Sequence, residues 1–288
     1  MILVTGSAGK TGRAVIQALT KNGEAVRAFA RHADDVARLK SLGVEDVIVG
    51  DLLNPSDLER SVRDVPAIYH IAPNVSPDEA TIGRMIVSAA QSANVERFVF
   101  HSVLHPQIEA MPHHWQKLRV EEFLLGSELS FTILQPTIYI QNVLAYWDQI
   151  VEQGTYPVPY SPETPLSMVD LEDVAQVAAM VLTQPGHERA IYELVGVSAI
   201  SPTEVANILS EQLNRSVTVK VVPLEEWERN ARSSGMGSYQ VLALIKMFCY
   251  YEDHGFIGNP NSLRYLLGRQ PTSFADFVNR IKRDHRIG

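Results

Sequence analysis

A chain of 288 residues, 45% hydrophobic and 20% charged, can bury one large core or a core with a smaller lobe, and is neither disordered nor fibrous. Its formal net charge of -8 argues against direct nucleic-acid binding, which needs clustered Lys and Arg. The single cysteine, Cys249, excludes an intrachain disulfide and a cysteine-based zinc cluster.

The first half alternates short apolar runs with longer amphipathic ones, the pattern of a parallel sheet flanked by helices. Strands are predicted at 2–5, 25–30, 46–49, 67–71, 97–101 and 131–134, and helices at 13–21, 33–41, 55–62, 77–93 and 112–125. The strands read as continuous apolar runs because helices cover both faces of such a sheet. After Pro136 the pattern changes. Residues 154–162 carry three prolines and two tyrosines and read as a loop, too irregular for a strand in the sheet. A strand at 190–195 returns to the sheet, Ser201 and Glu204 form a capping box, and helices then dominate apart from a β-branched strand at 217–222. Cys249, in the apolar run Leu244–Cys249, is expected as buried packing.

The expected fold is therefore a Rossmann-type, doubly wound parallel α/β sheet with a smaller, mostly helical C-terminal lobe. The core is assigned to 1–155 with a returning segment 166–197, and a substrate or partner lobe to 198–288 with the loop 156–165. The opening Met1-Ile2-Leu3-Val4 has no basic n-region, and no apolar run nears the roughly 18 residues of a membrane helix, so a cytoplasmic protein with no membrane partner is expected.

The first strand runs into Gly6-Ser7-Ala8-Gly9-Lys10-Thr11-Gly12 and then a helix, the context that gives a G-x-x-G-x-x-G motif its meaning. Gly6 permits the tight turn, Gly9 lets a pyrophosphate approach the backbone, and Gly12 lets the helix pack close to the strand. The helix N-terminus adds unpaired N–H groups and partial positive charge. Ser7, Lys10 and Thr11 complete the cofactor loop. Gly9-Lys10-Thr11 imitates the end of a Walker A loop, but that motif needs a glycine where Val4 stands.

The second strand ends at Arg31-His32, where this fold places an acid for a ribose 2′-hydroxyl or an Arg for a 2′-phosphate. Arg31, with Lys10, Arg13 and His32 adding positive field, favours NADP over NAD; a solvated strand-end charge is the alternative. Asp51-Leu52 after the third strand is placed beside the adenine, or else Asp51 caps a turn. Ala72, after the fourth strand, lies at the carboxyl edge where a doubly wound sheet meets its ligand. His101, His105, His113, His114 and Glu109 lack metal-ligand spacing, and no metal is expected.

Taken together, Val4–Gly12, Val26–Arg31, Gly50-Asp51-Leu52, Gln135-Pro136 with Asn142, and the tail Leu267–Phe274 resemble the NmrA-like family of atypical short-chain dehydrogenases/reductases. The resemblance covers nearly the whole chain. It implies NADPH-dependent reductases of quinones, dyes and other unsaturated molecules, but also regulators that bind NADP without turnover. Typical short-chain dehydrogenases carry a Ser and then Y-x-x-x-K. Ser102 matches the serine and Lys117 the lysine, while His113 stands where tyrosine would be.

His113 and Lys117 are four apart, so they share one helix face with Val120 and Leu124. Lys117 is expected to hold cofactor ribose hydroxyls, His113 to act as general acid, and Ser102 to contact the site. The alternatives are a solvated lysine, a core histidine and a strand-end hydroxyl. Tyr139, Tyr146, Trp147, Tyr156 and Tyr160 either line a pocket for an aromatic small molecule or pack helices. The leading reading is an NADPH-dependent oxidoreductase that reduces a small carbonyl, quinone or conjugated compound. The alternative is a non-catalytic NADP-binding redox sensor acting through a protein partner, and sugar-nucleotide epimerisation ranks third. Monomer and homodimer are both open.

Overall fold

The computed structural model describes residues 1–285. In chain order, β1 (Ile2–Val4), α1 (Lys10–Lys21), β2 (Val26–Ala30), α2 (Asp35–Lys40), β3 (Asp46–Val49), α3 (Pro55–Val62), β4 (Ala67–His70), α4 (Glu79–Ser92), β5 (Arg97–His101), α5 (Pro112–Leu125) and β6 (Phe131–Pro136) alternate strictly. There follow β7 (Ile138–Tyr139), a 3₁₀ turn (Ile140–Tyr146), α6 (Trp147–Gln153), β8 (Thr155–Val158), β9 (Leu166–Val169), α7 (Leu171–Thr183), β10 (Ala190–Leu194) and β11 (Ala199–Ile200). The chain continues through α8 (Pro202–Leu213), β12 (Thr218–Val221), α9 (Leu224–Ser233), α10 (Ser238–His254), α11 (Asn261–Leu267) and α12 (Phe274–His285).

Two units emerge. The first contains 1–109, 113–136 and 174–192; the second contains 110–112, 137–173 and the chain from 193 onward. The boundary thus falls after Pro136, not near residue 155. The reason is pairing: β9 joins β7 and β11 in a small sheet of its own, so of the expected returning segment 166–197 only 174–192, with β10, joins the first unit.

The first unit is built on a seven-stranded sheet of order β10-β6-β5-β4-β1-β2-β3. Parallel pairing puts Val4 level with Ala28 and Tyr69, Tyr69 level with Val99, and His101 level with Leu134. Chain order reverses at β1, so the carboxyl ends of β1 and β4 flank the switch point of a doubly wound sheet, where such folds bind ligands. Leu3, Phe29, Ile68, Phe98, Phe100 and Ile133 from the strands meet Leu58, Ile86, Val120 and Leu124 from the helices in one buried core.

The second unit has a separate core of Ile140, Val143, Ile150, Tyr156, Val158, Leu209, Phe277 and Val278, with Tyr146, Trp147 and Tyr160 packed against it. These aromatic residues pack against the core, and Tyr160 also lines a cavity with Pro162, Val221 and Phe248. Residues 155–158, expected as loop, form β8, which pairs in parallel with β12 outside the main sheet. Gly154 and Val158 carbonyls accept from Thr218 and Val222, so the even positions face β12 and Pro157 points its missing N–H outward, as an edge strand tolerates. Cys249 is exposed, not buried. It shares the outer face of α10 with Leu242, Lys246 and Asp253, at helical spacing, and the apolar run around it misled. Asp170 and Asp173, buried at the start of α7, bind Arg280 and Arg269, anchoring the C-terminal segment within this unit. Among the described residues no helix is long and apolar enough to cross a membrane.

Candidate active site

The glycine loop closes tightly. Gly6 sits at φ +59°, and a Cβ there would lie 2.9 Å from Ile71 Cβ. At Gly12 a Cβ would lie 2.3 Å from the Gly6 carbonyl oxygen, so α1 can start here only on glycine. Gly9 is the N-cap of α1, is exposed, and would meet only Gly6 O, at 3.3 Å. Thr5 pins the loop: its hydroxyl accepts from the Ile71 N–H, donates to Ile71 O and lies 2.9 Å from His70 Nδ1. Ser7 is buried and donates to Phe29 O at 2.7 Å, tying the loop to β2. Its hydroxyl is thus committed to the fold.

The N-terminus of α1 has no side-chain cap and no acid in its first turn. By contrast, Asn54 caps α3 and a Ser201–Glu204 capping box closes α8. A helix that leaves its positive end without a protein anion beside a glycine turn has the form of a phosphate site. Basic side chains surround it. Arg13 donates to Ala8 O at 2.7 Å, and Arg38, which sequence reasoning missed, approaches the same oxygen at 3.4 Å. Lys10 and Arg31 are exposed, and Arg31 makes no hydrogen bond or ion pair among the described residues.

The other expected cofactor residues fall along the same strand edge. Asp51 Oδ1 accepts from the Leu53 N–H, a turn-capping bond, and the Asp51 N–H donates to Asp57. The Leu52 side chain is committed to the core of the first unit. Ala72 is buried just past β4.

Lys117 forms the centre of a second group. Its ammonium donates to Glu79 Oε1 at 2.6 Å and lies 5.8 Å from the centre of the Phe100 ring. The lysine is therefore ion-paired and mostly buried, with 17% of its side chain exposed. Its field reaches His70, His101, His113, His114, Glu79 and Glu121. Burial first, with neighbouring charges such as Lys117 adding to it, lowers His70, His101 and His114 to about 3 and His113 to about 4. All four are neutral at pH 7. His113 is buried, and among the described residues its Nδ1 has no hydrogen-bond partner; burial and Lys117 favour its neutral form, which can still donate one N–H.

Ser102 is brought into the cluster but is already engaged. It donates to Glu121 Oε1, and Gln135 Nε2 donates to both oxygens of the same carboxylate at 2.9 and 3.1 Å. Burial outweighs these bonds and raises the Glu121 pKa. Sequence reasoning overlooked Glu79, Glu121 and His70. The available signal was a charge on an apolar helical stripe: Glu79 aligns with Ile82, Gly83, Ile86 and Ala90, and Glu121 with His113, Val120 and Leu124.

A glycine turn leading from the first strand of a doubly wound sheet into an uncapped helix places the chain among dinucleotide-binding α/β proteins. Within that class, residues 1–277 match the NmrA-like family, and the chain belongs to it. It is similar to an NAD(P)H azoreductase of Xenophilus azovorans, 29% identical over 283 residues and 96% of both chains. It is also similar to quinone oxidoreductase 2 of Escherichia coli strain K12, 24% identical over 283 residues and 98% of both chains. Among solved structures, the NADPH-dependent quinone oxidoreductase of Escherichia coli complexed with NADPH matches with a TM-score of 0.84 at 25% identity, covering 98% of this chain and 99% of that one.

Proposed function

We propose that this chain is an NADPH-dependent oxidoreductase that reduces a small quinone, carbonyl or conjugated compound, azo dyes included. The observation that carries the reading is the glycine loop, closed so tightly that only glycine fits at Gly12, below a helix end that no side chain caps. The activities of the related azoreductase and quinone oxidoreductase point the same way.

Backbone N–H groups of Gly6–Gly12 would hold the pyrophosphate. Arg31, with Lys10, Arg13 and Arg38 nearby, would take the 2′-phosphate. Asp51 and Leu52 would border the adenine, and Ala72 the path of the dinucleotide along the strand edge. Bound NADPH supplies the hydride. Lys117 then has two tasks: it holds ribose hydroxyls, and as the ammonium of the cluster it delivers the proton that completes the reduction. His113, neutral and buried, shapes the site rather than acting as its acid, and Ser102 orders Glu121 and Gln135.

The test is steady-state oxidation of NADPH and NADH with a panel of benzoquinones, azo dyes and aldehydes. Turnover with NADPH on a quinone or dye is the expected result. NADPH binding with no acceptor reduced would replace this reading with that of a redox sensor acting through a protein partner.

A further inference from the structure

We propose that Glu79 is a positioning residue of this reaction, holding Lys117 in place as an ammonium between α4 and α5. The inference rests on the reductase reading, and four observations carry it.

First, Glu79 is the opening residue of α4 and its side chain is wholly buried, where an unpaired carboxylate is costly; Lys117 Nζ meets it at 2.6 Å. Second, the helices are shaped for this meeting. Gly83 lies one turn beyond Glu79 on the same face, and a Cβ there would sit 2.4 Å from Val120 Cγ2. Val120 in turn lies three residues beyond Lys117, so the absent Gly83 side chain lets the two helices close and seats the ion pair.

Third, among the described residues three buried polar atoms near Lys117 have no partner: Glu79 Oε2, His70 Nε2 and His113 Nδ1. A pair serving stability alone is expected to satisfy its remaining atoms, so this group has the character of a working site. Fourth, the groups facing Lys117 leave Glu79 no rival. His70 on β4, His101 on β5 and His113 and His114 on α5 are neutral, while Glu121 on α5 is occupied by Ser102 and Gln135. In the reaction, the hydride would form a bond to one atom of the substrate's double bond, the displaced π pair would pass to the other atom, and that second atom would take a proton from Lys117 Nζ. Lys117 becomes a neutral amine facing the Glu79 carboxylate, and solvent restores the proton.

The experiment compares the wild-type chain with Glu79→Gln, which keeps the side-chain volume, and Glu79→Asp, which keeps the charge. One arm needs no cofactor: the rate at which an N-hydroxysuccinimide ester acylates Lys117, read by peptide mass spectrometry. An ammonium held by a carboxylate acylates slowly, so Glu79→Gln should react about tenfold faster near neutral pH, with Glu79→Asp in between. The other arm measures kcat across pH and the NADPH Kd. Glu79→Gln should lower kcat about tenfold or more and change Kd by less than about threefold, with partial rescue in Glu79→Asp. Equal Lys117 acylation in wild type and Glu79→Gln, or full kcat at every pH, would overturn the assignment. If the wild type reduces no acceptor, the reductase reading falls, while the acylation arm still decides whether Glu79 governs Lys117.

Discussion

The glycine loop and the lysine cluster stand at the same edge of the same sheet and are made in different ways. The loop is seven consecutive residues working through their backbone, with Ser7 and Thr5 serving only to tie it down. The cluster draws His70, Glu79, Ser102, His113, Lys117, Glu121 and Gln135 from distant parts of the chain, and nearly all of its chemistry lies in side-chain contacts. A backbone site tolerates most side-chain changes except those that fill its space. A buried polar network is sensitive to the loss of any partner, because each loss leaves a desolvated group exposed to a low dielectric.

That contrast can be broken at either end. The largest effect is expected for Gly12→Val, which drives a side chain into the Gly6 carbonyl; NADPH affinity should fall about 100-fold or more by fluorescence titration. Next comes Lys117→Met, which strands the buried Glu79 carboxylate. Denaturant unfolding should show a loss of about 3–5 kcal/mol, and kcat should fall about 100-fold. A double variant Lys117→Met with Glu79→Gln should recover most of the stability but none of the rate. Arg31→Asp should weaken NADPH about tenfold and leave NADH nearly unchanged, measured as the ratio of the two Kd values.

A graded effect is expected with pH. The four histidines have folded pKa values depressed to about 3 or 4, so the unfolded chain takes up their protons first as the pH drops below 6.5. Stability is therefore full above pH 6.5 and declines as the pH falls towards 4. Glu79 and Glu121, raised by burial, work in the opposite sense and soften the decline. Urea midpoints taken across this range test the sign. The smallest effect is expected for His113→Phe, which removes an unpartnered nitrogen; kcat should stay within about threefold of wild type.

The same contrast explains what was legible in the sequence. The boundaries of β3, α3, β5 and α5 could be read residue by residue, because apolar periodicity and turn residues are local signals. The glycine loop was equally plain, since its function and its spacing are the same thing. The lysine cluster was legible only in part: the stripe joining His113, Lys117, Val120 and Leu124 pointed inward, but nothing local said that Glu79 would face it. That meeting depends on how α4 packs on α5 through Gly83, a tertiary fact. How far the His113 pKa falls was out of reach for the same reason, as burial sets it and burial is decided by elements far away in sequence. Cys249 and β8 failed differently: an apolar run was taken for a buried one, and prolines for the absence of a strand.

Hydride transfer from NADPH can be watched in a single-turnover experiment. The wild-type chain, in excess over NADPH so that each site turns over at most once, is mixed rapidly with a benzoquinone while nicotinamide absorbance is followed. The decay should be much faster than in the protein-free mixture, retained in His113→Phe and nearly lost in Lys117→Met. A decay equal to the protein-free rate, with NADPH shown to be bound, would contradict it.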